Sequence, residues 1–395
     1  MDIPLYIQLS LMMFLQFAIW GAWAPVLAGH LLGPLKFTGK QTGWIYGTVC
    51  LGCVISPLIA GQLADRWVAT QWFISGAHLL GGVLLLAASG RRKFAPLVVV
   101  MGLYGLAFAP TLTLVHSLMF RHLEATGVSS FAIFVWGVVG WVLAGWGLTC
   151  WRRVKRTGQR SDCLVLAAML SVVMSAYCLF LPHTPAPGAE QPLTEALSLL
   201  GNPNFLVFMG VGFVLSTQLQ FYFLGTARYL TDLGVANHNV PAVMTIAQGA
   251  QIVAMIFIAW YEPQILASIG FRWIFTIGLM MWLAMYGAYA MGKPRLLILA
   301  SQMLHGVAYA CFLNVGFVYV NKVAPAGVSK IASSAQGLYT VVIFGIGPFL
   351  GTQFTGMVMD RFKMPEDKFR WSAIYLVPCL MILICAIVMA TLFRG

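Results

Sequence analysis

Three groups of residues in this 395-residue chain have the types and spacing to hold a polar ligand. Gln16, Trp20 and Trp23 fall at i, i+4 and i+7, which sets an amide beside two indole rings on one helix face. Gln248 and Gln251 share a face of a second helix, and His305 and Tyr309 share a face of a third. Amides orient a ligand by donating and accepting hydrogen bonds, and rings stack on a flat one. This is the chemistry of binding and not of bond making. No nucleophile with a paired base, no metal-ligand spacing and no phosphate-cradling glycine loop accompanies these groups, so the chain reads as a non-enzyme needing no cofactor and no metal.

The elements that must position these side chains lie in a membrane. The chain is 60% hydrophobic and only 9% charged, with a mean hydropathy of +0.86, whereas a soluble domain is charged at about a quarter of its positions. A helix crosses the hydrocarbon with about 20 apolar residues. Such runs are predicted near 4–29, 42–63, 71–89, 95–116, 131–150, 163–181, 204–225, 241–260, 272–291, 296–320, 332–357 and 372–392. The expected fold is therefore an all-α integral membrane protein of twelve transmembrane helices in two six-helix bundles. The first run lacks a basic start and a cleavage site, and it is expected to be retained. The eight cysteines mostly sit inside apolar runs and are expected to serve as small packing residues.

Connections are short except for the Pro-rich, polar stretch after Pro182. It divides the chain into an N-terminal bundle at 1–182, a linker at 183–203 and a C-terminal bundle at 204–395. Within the linker Leu193, Leu197 and Leu200 fall on one face of an expected short interfacial helix. The second half repeats the organisation of the first, with Gly270-Phe271-Arg272-Trp273 standing where a copy of the turn at Gly61–Trp67 would fall. Two halves around a midplane cavity are what a rocking transporter needs.

That turn, Gly-Gln-Leu-Ala-Asp-Arg-Trp, is the expected conformational hinge. Gly61 allows close helix approach, and Asp65 and Arg66 stand at the membrane surface, with Asp65 just ahead of the third span, where the helix dipole favours a carboxylate. It resembles the Gly-x-Leu-x-Asp-Arg loop of the major facilitator superfamily, although the later Gly and Arg/Lys of that motif are absent. Further runs, Phe14-Leu15-Gln16-Phe17, Trp20-Gly21-Ala22-Trp23, Ala109-Pro110-Thr111-Leu112, Val135-Trp136-Gly137, Leu181-Pro182-His183 and Ser334-Ala335-Gln336-Gly337, resemble the nucleoside permease branch of that superfamily. The resemblance implies nucleoside uptake coupled to protons. It also implies that Gln220 and Gln248 contact the nucleoside. Elsewhere the chain departs: Phe134 replaces an arginine, Val138 a threonine, Gln251 and Ala310 acids, and His305 a tyrosine.

A charge at the bilayer centre costs at least about 2.5 kcal/mol, so an acid there would be a functional sign. All eleven acids fall in loops or at span ends on this placement. A carboxylate proton relay is therefore not expected, and the chain is read as a transporter that moves a nucleoside or a similar neutral polar metabolite by alternating access, not obligatorily coupled to protons. His305 is the histidine best placed to carry a proton, ahead of His116, His78 and His30. A carrier of a sugar or an organic anion, and a membrane sensor that binds without transporting, are the alternative readings.

The expected partners are a small-molecule substrate and the lipid bilayer, with no nucleic acid, and the chain is expected to act as a monomer in the bacterial inner membrane. The resemblance puts both termini in the cytoplasm. On that placement only Arg66, Arg121, Arg272, Lys322, Lys330 and Arg394 lie on the cytoplasmic side, and the other seventeen of the 23 basic residues lie outside. The positive-inside rule argues for the opposite orientation.

Overall fold

The computed structural model describes residues 3–59, 68–128, 130–156, 160–184, 199–323 and 337–394. The turn with Gly61, Asp65 and Arg66, and Leu193 and Leu197 of the proposed linker helix, lie outside the described residues. Eleven helices among them are long and apolar enough to cross a membrane: Ile3–Leu32, Thr70–Ser89, Phe94–Leu123, Phe131–Lys155, Asp162–Phe180, Pro203–Asp232, Val240–Ile258, Ser268–Met291, Arg295–Val320, Gly337–Arg361 and Trp371–Leu392. Gly39–Ile59, 21 residues long, takes the second place in this order. The molecule is an all-α membrane protein of two six-helix bundles.

Pairing between spans repeats from one half to the other. The first span packs on the fifth, the second on the fourth and the third on the sixth; correspondingly the seventh packs on the eleventh, the eighth meets the tenth where Gly306 lies against Ala247 and Gln251, and the ninth meets the twelfth through Arg272 with Ala390 and Phe275 with Phe393. Each bundle therefore has the same internal order.

Local sequence explains the breaks in the helices. The first span, predicted as one run, stops at Trp23 and resumes at Leu27, because Pro25 has no N–H to continue the ladder. Asn202 caps the seventh span by accepting from Asn204 N–H at 2.9 Å and Phe205 N–H at 3.3 Å. Between the eighth and ninth spans Gly270 adopts φ 68° and ψ 172°, a conformation open to glycine. Next to it Arg272 Nη2 donates to the carbonyl of Ala390 on the twelfth span. The backbone opens into wide π-type turns at Ala310–Asn314 in the tenth span and Val341–Ile346 in the eleventh. Such turns shift the register of the faces that follow and recur at functional sites.

The bundles are clasped at the end that carries residues 33–38. There Asp360 accepts the N–H groups of Gly39 at 2.6 Å and Lys40 at 2.9 Å. Glycines let the second and eleventh spans touch backbone to backbone: a Cβ on Gly39 would meet the Gly356 carbonyl oxygen at 2.5 Å and Met359 Cβ at 3.2 Å. On the other side of the molecule the fifth span meets the eighth. Ala242 N–H donates to Thr149 Oγ1 at 3.0 Å, Trp146 Nε1 to Thr245 Oγ1 at 2.8 Å, and the Arg153 guanidinium to Asn239 Oδ1. At the same end Arg152, fully buried, forks onto Asp162 at 2.6 and 2.8 Å and joins the fifth span to the sixth.

Candidate functional site

The middle of the molecule is crossed by a path of rings that links the bundles. In the N-terminal half Phe17 stands 6.4 Å from Trp20, and Trp20 lies 5.9 Å from Trp141 and 6.1 Å from Phe108. Trp20 also reaches Phe344 of the eleventh span at 6.0 Å, and Trp141 reaches Phe223 of the seventh at 6.4 Å. Phe223 packs on Tyr222 at 5.7 Å, and Tyr222 stacks on His305 with centroids 4.0 Å apart and planes 18° from parallel. Tyr309 lies one turn further, 6.2 Å from His305.

The three residues predicted on one face of the first span do not share one environment. Trp20 is half-buried on the inter-bundle path. Gln16 is fully buried inside the N-terminal bundle. Thr111 donates its hydroxyl to the Phe108 carbonyl at 2.7 Å, so its oxygen accepts Gln16 Nε2–H at 2.9 Å. That fixes Gln16 Oε1 toward His78 Nε2, 2.8 Å away, and the far side of the His78 ring meets Ser171 Oγ at 3.2 Å. Trp23, also buried, donates to Tyr104 OH at 3.3 Å and packs on Tyr46. Both polar groups on either side of Trp20 are thus occupied by the bundle's own core. Phe134 stands at 5.4 Å from His116 on the wall beside Phe17.

In the C-terminal half Gln248 and Gln251 are both buried. The span that carries them is pressed against the tenth, since a Cβ on Gly306 would overlap Ala247 backbone and meet Gln251 N at 2.7 Å. Glycine at 306 therefore lets the helix that carries this pair lie directly against the helix that carries His305 and Tyr309. Gln248 Oε1 is a buried acceptor with no partner among the described residues. Gln220, on the seventh span, donates Nε2–H to the Ser216 carbonyl of its own helix at 3.2 Å, which leaves its oxygen for another group. His305 accepts: Trp282 Nε1–H, which can only donate, reaches His305 Nδ1 at 3.1 Å. With Nδ1 accepting, the neutral ring bears its hydrogen on Nε2.

Sequence reasoning missed Trp141, Phe223, Phe344, Tyr222 and Trp282. Trp141 was within reach, seven residues after Phe134 and so on the same helix face. Phe344 was not, because the wide turn at Val341–Ile346 changes the register around it.

A separate cleft of about 620 Å³ lies among the eighth, ninth and tenth spans and Phe131, lined by Val253, Phe257, Ile269, Ile277, Met303 and other apolar residues. None of the predicted site residues lines it. It offers nothing to hydrogen-bond a polar solute, so its size does not make it the solute site.

A model of the Nucleoside H+ symporter family matches residues 3–395. Xanthosine permease of Escherichia coli (strain K12) is 28% identical over 392 residues, which cover 94% of this chain and 91% of that protein. Nucleoside permease NupG of the same organism is 26% identical over 395 residues, covering 94% and 92%. Among solved structures, that of nucleoside transporter NupG matches with a TM-score of 0.82 at 24% identity and covers 100% of both chains. A D-xylose-proton symporter matches with a TM-score of 0.73 at 12% identity, over 99% of this chain and 98% of that one.

Proposed function

The chain belongs to the Nucleoside H+ symporter family, and from that membership we propose that it carries a nucleoside across the bacterial inner membrane by alternating access. The moving halves are 1–182 and 204–395, joined by 183–203, in a single copy of the chain. The solute sits between the halves, its base against Trp20, Phe134 and the neighbouring rings and its polar edge toward Gln220, Gln248, Gln251 and Tyr309. The observation that carries this reading is Gln248 Oε1, a buried acceptor with no partner among the described residues. An unsatisfied buried acceptor costs about 1–3 kcal/mol, and a ligand N–H or O–H relieves that cost. Gln16 and Trp23 support the wall from behind. Carriage of a sugar or an organic anion remains the alternative within the same class.

Transport is not obligatorily driven by protons on this reading, although the family's description names them. Two features support it. Asp162, Asp232 and Asp360 stand at helix ends, and His305 already accepts at Nδ1. The test is flux into proteoliposomes of adenosine, uridine and xanthosine beside glucose and gluconate. Nucleoside flux that saturates supports the proposal; flux of the sugar or its acid alone replaces it, and binding with no flux makes the protein a sensor.

A further inference from the structure

His116 is not used by the site as described, and its surroundings give it a defined chemistry. Its Nδ1 lies against the carbonyl oxygen of Leu112, one turn back on the same helix. A carbonyl only accepts, so Nδ1 carries the hydrogen and the neutral ring keeps its lone pair on Nε2. That nitrogen has no partner among the described residues, and the ring is half-buried between Phe17 at 6.1 Å and Phe134 at 5.4 Å. Phe17 continues directly to Trp20 and across to the C-terminal bundle. His116 is thus held in the opposite sense from His305, where Nδ1 accepts and Nε2 bears the hydrogen.

We infer that His116 Nε2 is a ligand-contacting acceptor on the N-terminal wall, taking a hydrogen bond from a nucleoside hydroxyl or amine N–H opposite the glutamines of the C-terminal bundle. This rests on the nucleoside reading above and adds to it a residue and a pH response. A proton on Nε2 removes the acceptor, so protons compete with the ligand. The first and fifth spans present the rings of Phe17 and Phe134 to His116. On its own helix the next titratable groups are Arg121 and His122, and His122 Nε2 is bonded to Thr184 Oγ1. Across the path stand His305 and Tyr309. No charged side chain acts on the His116 ring among the described residues.

The experiment measures adenosine and uridine affinity for the purified protein from pH 5 to 8 by calorimetry, in the parent, His116→Asn and His116→Leu. The expected parent affinity is flat at high pH and falls up to tenfold per pH unit below the histidine's midpoint. His116→Asn, which keeps an acceptor that cannot titrate, is expected to bind within a few-fold of the parent with no acid loss, and His116→Leu to bind at least about fivefold more weakly at pH 8. The 2′- and 3′-deoxy forms and inosine, which lacks the amine of adenosine, find the donor: one of them should be indifferent to His116→Leu. If the parent binds nucleosides and all three proteins keep the same affinity and pH profile, His116 has no such role while the nucleoside reading stands. If the parent binds no nucleoside at any pH, that reading itself fails.

Discussion

Asp360 Oδ1 accepts the N–H of Gly39 at 2.6 Å while Oδ2 accepts that of Lys40 at 2.9 Å, so a carboxylate from the end of the eleventh span caps the second span across the gap between bundles. A helix start has free N–H groups and a partial positive charge. Here the partner comes from the other half of the molecule, and separation of the halves at this end must break the cap.

Asp360→Ala should shift the conformational equilibrium toward opening at this end by about 1 kcal/mol, roughly fivefold, the usual worth of a cap. Spin labels at positions 36 and 363 in a cysteine-free background would report the change as a longer distance population. An unchanged distance distribution would mean that the glycine seam alone closes this end.

Gln248→Ala should weaken nucleoside binding by about 1–2 kcal/mol, roughly five- to thirtyfold, with little change in melting temperature. Gln220→Ala should cost less, because one of its amide hydrogens already serves the Ser216 carbonyl. Titration of both variants with the best-bound nucleoside checks this, and parent-like affinity in both would move the site elsewhere.

Gln16→Leu should act on stability. It leaves the His78 and Thr111 groups that Gln16 now joins without that partner, at a cost of about 1–3 kcal/mol. The melting temperature should fall by several degrees while the folded fraction binds nucleoside within about threefold of the parent. A selective loss of affinity with normal melting would return Gln16 to the ligand.

Accumulation in proteoliposomes should not exceed the nucleoside's own gradient, with or without an imposed pH gradient. His305→Gln should leave that independence unchanged, since the histidine is already fixed as an acceptor for Trp282. Uphill uptake that needs the gradient would overturn the uniport reading, and its disappearance in His305→Gln would make that residue the proton carrier.

Both termini should prove cytoplasmic despite the basic residues on the opposite face. Several of those are already committed within the protein: Arg152 pairs with Asp162, Arg228 with Asp232 and Lys363 with Asp367. Lys363 holds the Asp367 carboxyl below the usual carboxylate range. Reporter fusions at residue 395 decide the matter, and an external C-terminus would side with the positive-inside rule.

The sequence by itself determined the solvent and the architecture. Apolar runs of about 20 residues leave a helix as the means of satisfying the backbone in lipid. It also put Trp20, Gln248 and Tyr309 on helix faces able to meet, because helical period is local. What it left open is which polar atoms are already taken. Gln16 and Gln248 look alike as amides in apolar runs, yet Gln16 is matched by Thr111 and His78 from two other spans, while Gln248 Oε1 has no partner among the described residues. His305 and His116 look alike as lone membrane histidines, yet an indole N–H on the ninth span and a carbonyl one turn back set opposite tautomers. A hydrogen bond depends on distances of a few tenths of an ångström between atoms far apart in the chain, and only packing of the spans fixes those distances.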